Sequence, residues 1–142
     1  MATVRDLLDI KGSAIYSVGP DDPVLDAVKV MAQRHVGALL VMKGSELVGI
    51  VSERDYARKV ILLGRASSDT PVAQIMSTPV HTVTPKGSVQ DCMRLMTERR
   101  VRHLPVVENG RVVGVISIGD LVKAVIEDQR QTIEQLEDYI HR

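Results

Sequence analysis

The chain has 142 residues, enough for one compact domain with a fair core and too few for two large independent ones. Its 18 basic and 18 acidic residues cancel, and it carries no Phe or Trp and only Tyr16, Tyr56 and Tyr139. Neither a global basic field nor a base-stacking platform points to nucleic acid. No apolar run approaches the ~18 residues of a membrane span, the lone Cys92 forms no internal disulfide, and Met-Ala-Thr-Val-Arg-Asp leads into no apolar signal segment. A cytoplasmic, reducing setting without membrane or nucleic-acid partners is expected.

Thr3-Val4-Arg5-Asp6 reads as a capped start to a short helix through about Leu8, and a loop with Gly12 and Ser13 leads to a brief strand over Ile15–Val18. Asp22-Pro23 predicts a helix with proline at its first position, and Val24, Ala27, Val28 and Met31 supply its apolar face. Ala38–Met42 and Leu47–Val51 predict a hairpin turning at Lys43-Gly44-Ser45-Glu46. A helix opened by Ser52 is expected to run to about Leu63 and stop at Gly64. Residues 65–70 read as a linker, and Thr70-Pro71 starts a small helix through Met76.

The programme then repeats. A strand is expected over Val80–Val83, a helix capped by Ser88, a strand over His103–Val107, an Asn109-Gly110 turn of type I′, a return strand over Val112–Ile116, and a last helix opened by Ser117. Laid at an offset of 65 without gaps, Val18–Tyr56 matches Val83–Leu121 at Val18, Pro20, Val24, Asp26, Met31, Arg34, Val36, Leu39, Val41, Val48, Gly49, Ser52 and Asp55. That period is too long for a solenoid and fits two copies of one β-α-β-β-α unit. The expected fold is α+β: repeat 1 at residues 1–64, the linker at 65–70, repeat 2 at 71–127 and a helical extension at 128–142. The two repeats are expected to pack into one module about a pseudo-twofold, hiding the open face of each sheet.

Each copy ends in the same device, Gly49-Ile50-Val51-Ser52-Glu53-Arg54-Asp55 and Gly114-Val115-Ile116-Ser117-Ile118-Gly119-Asp120. An apolar strand end runs into Ser-x-x-Asp at a helix start. Two roles suit it. One is a capping box, in which serine and aspartate satisfy each other's backbone N–H groups. The other is a ligand site, because a helix N-terminus attracts phosphate and a fixed carboxylate accepts from a ribose diol.

Two β-α-β-β-α copies ending in Gly-h-h-Ser-x-x-Asp (h apolar) resemble the tandem cystathionine β-synthase (CBS) domain pair, or Bateman module. Here it reads as stand-alone, from about Val4 to Val125. Val36-Gly37-Ala38-Leu39-Leu40-Val41 and Val101-Arg102-His103-Leu104-Pro105-Val106 are similar to the family's second strand. The resemblance implies a regulatory module that binds an adenosine-containing ligand (AMP, ATP, NAD or S-adenosylmethionine), with the aspartates on ribose and the serines near ribose or phosphate. It also implies crossed sites, each joining one repeat's Ser-x-x-Asp to the other's strand edge. One, the basic site, has Ser52, Arg54, Asp55, Thr82, Arg102 and His103, and the other has Ile15, Gly37, Ala38, Ser117, Gly119 and Asp120. Guanidinium groups make the first the better phosphate holder. A homodimer, or an unknown protein effector, would carry the signal. The alternative is a ligand-free dimerisation or adaptor module.

Catalysis is not expected. No phosphate loop and no acid–base pair stands out, and His35, His81, His103 and His141 lack metal-ligand spacing. Cys92 aligns with Ala27 on an inward helix face and reads as a core thiol. Val122, Ile126, Gln129, Ile133, Leu136 and Ile140 follow a 4-3-4-3-4 spacing, a short a/d seam in a helix expected from Asp120 to about Tyr139. That seam suits either a helix folded back on its own module or one shared with a second chain.

Overall fold

The computed structural model describes residues 2–140. It is α+β, built as two compact units. One is Ile15–His81; the other joins the residues up to Ala14 to those from Thr82 onward.

In the first unit, β1 (Ser17–Val18) pairs in parallel with β2 (Ala38–Lys43), which pairs antiparallel with β3 (Glu46–Ser52). The helix α2 (Val24–Arg34) turns Val24, Ala27 and Met31 onto a core with Leu39, Val41 and Val51. Pro23 is its N-cap and lies outside the first turn (φ −63°, ψ 144°), and the Asp22 carboxylate accepts from the Gly19 N–H at 2.7 Å instead of capping the helix. The expected helix from Ser52 to Leu63 is instead α3 (Glu53–Tyr56) followed by a π-helical turn over Ala57–Ile61. The small helix after Pro71 is a single 3-10 turn, Val72–Gln74.

The second unit repeats this plan with α4 (Val89–Arg99) over the antiparallel pair β4 (His103–Glu108) and β5 (Arg111–Ser117). Asn109 and Gly110 both have positive φ, 53° and 76°, as the expected type I′ turn requires. Here the third strand fails. The stretch expected as a strand over Val80–Val83 makes only one parallel bridge, Val83 to Val106. In the first unit the Leu40 N–H bonds the Tyr16 carbonyl at 3.2 Å, whereas the aligned position in β4 is Pro105, which has no N–H to give.

The helix α1 (Val4–Lys11), longer than expected, starts in a reciprocal Thr3–Asp6 capping box and ends at Gly12 with φ 95°. It buries Val4, Leu7 and Leu8 among Val89, Cys92, Met96, Leu104, Val106, Ile116 and Leu121. It therefore completes the core of the unit that begins again at Thr82. Val72 and Ile75 do the same for the other unit. The bonds correspond: Val4 N–H to Gly87 O and Val72 N–H to Asp22 O, both 2.8 Å, and Arg5 N–H to Pro85 O and Ala73 N–H to Pro20 O, both 2.9 Å.

The last helix, α5 (Ile118–Ile140), is 23 residues long and buries only Leu121 fully. No helix among the described residues is long and apolar enough to cross a membrane.

Candidate functional site

Each strand–helix junction holds its serine and aspartate in a capping box. At the first, the Ser52 N–H donates to Asp55 Oδ2 at 2.9 Å, and the Asp55 N–H donates to Ser52 Oγ at 3.2 Å. At the second, the Ser117 N–H donates to Asp120 Oδ2 at 2.8 Å, and the Asp120 N–H donates to Ser117 Oγ at 3.2 Å. The β-edge carbonyl closes each helix start as well: Gly37 O accepts from the Glu53 N–H at 3.0 Å, and Arg102 O from the Ile118 N–H at 2.8 Å. Capping is thus one role both junctions perform.

Beyond the cap the two differ. In the first, Ser77 lies against β3: its N–H donates to Ile50 O at 2.8 Å and its hydroxyl to Asp55 Oδ1 at 3.4 Å. Lys59, in the π-helical turn, stands 3.3 Å from Asp55 Oδ1 and donates to Ile75 O at 2.9 Å. Both Asp55 oxygens are therefore engaged, Oδ2 by the Ser52 N–H and hydroxyl. In the second junction one side chain fills the place of Ser77. The Lys11 ammonium, from the end of α1, donates to Val115 O and to Asp120 Oδ2, each at 2.7 Å. The two bonds that the Asp120 carboxylate accepts, from Lys11 and from the Ser117 N–H, both fall on Oδ2, and Oδ1 accepts none from the described residues.

The electrostatics follow. Burial pushes the Asp120 carboxyl up, but the Lys11 bond, the Ser117 bonds and the Lys11 charge outweigh it and hold the group below its ordinary value. Its contribution to stability is therefore complete above ~3.9 and is lost as pH falls through the lower folded-state value. Asp120→Asn is expected to lower unfolding stability at neutral pH by an amount that shrinks toward zero in strong acid; denaturant titrations of both proteins across pH check this. His103, whose backbone stands opposite Ser117 in the β4–β5 register, is pushed down by burial and by Lys11, with Asp120 opposing and Arg102 adding. Burial and the Lys11 charge both favour the neutral imidazole, which can hydrogen-bond without supplying charge.

Of the residues singled out in the sequence, Ser52 meets Asp55 and Ser117 meets Asp120. Gly37 and Ala38 form the strand edge beside Ser52, and Arg102 and His103 the edge beside Ser117. Arg54, Arg102 and Gly119 are exposed, as are Ile15 and Thr82 at the start of their segments. Sequence reasoning passed over both lysines. Lys59 lies four residues after Asp55, the spacing of a helical ion pair, and was open to discovery. Lys11 meets Asp120 from 109 positions away, and nothing in the sequence marks that contact. Cys92 is buried and its thiol is pushed up by burial and by Asp91, which suits a core position. No cluster of three or more His, Cys, Asp or Glu side chains able to hold a metal occurs among the described residues, and His141 lies outside them.

The family model described as the CBS domain matches residues 4–61 and again 72–127. The chain is 43% identical over 147 aligned positions to the CBS domain-containing protein CBSX3, mitochondrial, of Arabidopsis thaliana, covering 97% of this chain and 71% of that one. Among solved structures, a protein with CBS domains from Burkholderia ambifaria has a TM-score of 0.86 at 52% identity, over 90% of this chain and 96% of that chain. The CBS domain pair of MJ0100, solved in complex with 5′-methylthioadenosine and S-adenosyl-L-methionine, shares the fold with a TM-score of 0.80 at 21% identity, over 90% and 98% of the two chains.

Proposed function

From a chain that belongs to the CBS-domain family and carries two CBS domains in tandem, we propose a regulatory, non-catalytic protein that binds an adenosine-containing nucleotide such as AMP, ATP or NAD. The signal passes through self-association or a protein effector, in a reducing compartment such as the cytoplasm. The observation that carries this reading is Asp120. Its carboxylate is kept ionised and oriented by Ser117 and Lys11 through one oxygen, and the other oxygen is left to accept. A ribose diol offers the two hydroxyl donors that such an acceptor takes. A cap alone does not require the second-oxygen asymmetry or the lysine.

Ser52 and Asp55 form the corresponding station. There a ribose has to displace Ser77 or Lys59 from Asp55, so Asp120 is the stronger ribose holder of the two. The exposed guanidinium groups of Arg54 and Arg102 supply phosphate contacts, each charge-assisted bond contributing about 1.5–3 kcal/mol. His103 adds a neutral donor or acceptor. Thr82, Ile15, Gly37, Ala38 and Gly119 complete the family's binding pattern.

A thermal-shift series with AMP, ATP, NAD and S-adenosylmethionine tests the proposal. The binder raises the melting temperature in proportion to RT ln(1 + [L]/Kd). No shift with any of them would favour the adaptor reading. Arg102→Ala is further expected to weaken AMP about tenfold or more and adenosine little, since only AMP offers an anion. Calorimetry with both ligands checks this, and equal losses would mean that Arg102 does not read phosphate. Coupling of Arg102→Ala to Asp55→Ala, rather than to Asp120→Ala, is the result that the family's crossed grouping requires.

A further inference from the structure

The seam on α5 has no cover within the described chain. Ile126, Ile133 and Leu136 are 59%, 55% and 57% exposed, and Val122 and Ile140 are exposed as well. At 100° per residue the seam lies about a quarter turn from the face bearing Ile118, Leu121, Ala124 and Val125, which packs on the core. It faces away from the side that borders α1, where Asp120, Glu127 and Gln131 line a groove with Leu7 and Lys11, and Lys123 stands at the border between that groove and the seam. The helix is already ordered where its first turns join the core, so the nucleation cost that makes isolated short helices marginal does not fall on the seam.

We propose that the occupant is the same seam of a second copy, laid antiparallel. This deepens the self-association part of the proposed function. Read as a heptad, Ile126, Ile133 and Ile140 fall at a, and Val122, Gln129 and Leu136 at d. In one antiparallel register every layer joins an a to a d: Val122 to the partner's Ile140, Ile126 to the partner's Leu136, and Gln129 to the partner's Ile133. Charge selects this orientation. A parallel pair would set the g positions Val125, Thr132 and Tyr139 against the partner's e positions, and none of these g residues is charged. The antiparallel pair sets e against e, bringing Lys123 to the partner's Glu137 twice by symmetry. Neither Lys123 nor Glu137 has an ion pair among the described residues. The central e residue, Arg130, meets its own copy, and its charge is already balanced by Glu127 at 2.7 Å and Glu134 at 2.5 Å on the same helix.

Disulfide capture of the full chain decides the orientation. In a Cys92→Ala background, which places the residue of the aligned position in the core, Ile126→Cys and Leu136→Cys are each made singly. In the antiparallel register, residue 126 lies about 15 Å along the axis from its own copy, beyond the ~7 Å that a disulfide spans, but in one layer with residue 136. Oxidation of the mixture is expected to give the covalent heterodimer, with little product from either variant alone. Rapid crosslinking of each variant alone would establish a parallel pair and overturn the proposal. So would no covalent dimer in any sample, or a wild type that sediments as a monomer throughout. A charge swap gives a second reading: Lys123→Glu raises the dimer Kd several-fold, and adding Glu137→Lys restores it. No rescue by the double swap contradicts the register. Nucleotide affinity, measured separately, reports on the ligand reading whatever the seam does.

Discussion

Val4→Asp is expected to unfold the unit that begins again at Thr82, and not the one that follows Val4 most closely in sequence. Val4 has no exposed surface and sits with Val89, Cys92, Met96 and Leu104. An unpaired carboxylate there costs several kcal/mol, a large share of the 5–15 kcal/mol that holds a typical domain together. Leu8→Ala is the graded version. Leu8 packs against the Cα of Gly114 so closely that a Cβ added there would lie 2.6 Å from its Cδ2. Truncation leaves a cavity beside β5 and is expected to cost about 2–5 kcal/mol. Hydrogen exchange distinguishes the units: amides of α4, β4 and β5 should lose protection first, while those of β2 and β3 keep theirs. Earlier loss in β2 and β3 would mean that α1 stabilises the first unit instead.

The second large effect belongs to the aspartates. Asp120→Ala removes a charged acceptor for a ribose diol and is expected to weaken nucleotide binding at its own site by about 10- to 100-fold, the range of one charge-assisted hydrogen bond. Asp55→Ala is expected to cost less, because Lys59, Ser77 and Ser52 already occupy its oxygens. Both substitutions also remove a cap contact. Ser52→Ala and Ser117→Ala are the controls, since they weaken the caps by ~1 kcal/mol and leave the carboxylates in place. Binding lost in the aspartate variants and retained in the serine variants assigns the carboxylates to the ligand. Equal behaviour of all four would return the motif to capping alone.

The repeat, the hairpins and both Ser-x-x-Asp junctions were legible because their signals are local. Asn109-Gly110 prescribes its turn, alternating apolar strands prescribe the sheet face, and a 65-residue period exposes the copy. What stayed hidden depends on distant partners. A period marks copies of sequence and says nothing of which copy a flanking helix completes, so the packing of Val4, Leu7 and Leu8 with Leu104 and Ile116 was not readable. The lost strand at Val80–Val83 was half legible. Pro105 was visible, but its consequence depends on knowing that its missing N–H would have bonded the preceding segment. The likeness of the two junctions concealed their difference, because the donor that distinguishes them, Lys11, arrives from another part of the chain.

Calorimetric titration of AMP into wild type and into the Asp55→Ala/Asp120→Ala double variant tests the central claim most directly, once circular dichroism shows that both are folded. Adenosine-containing ligand recognition by the two carboxylates predicts saturable heat with the wild type and its loss in the double variant. The same comparison is made for ATP, NAD and S-adenosylmethionine, so that the choice of nucleotide does not decide the outcome. Undiminished affinity in the double variant, or no binding of any of the four to the folded wild type, would contradict the account.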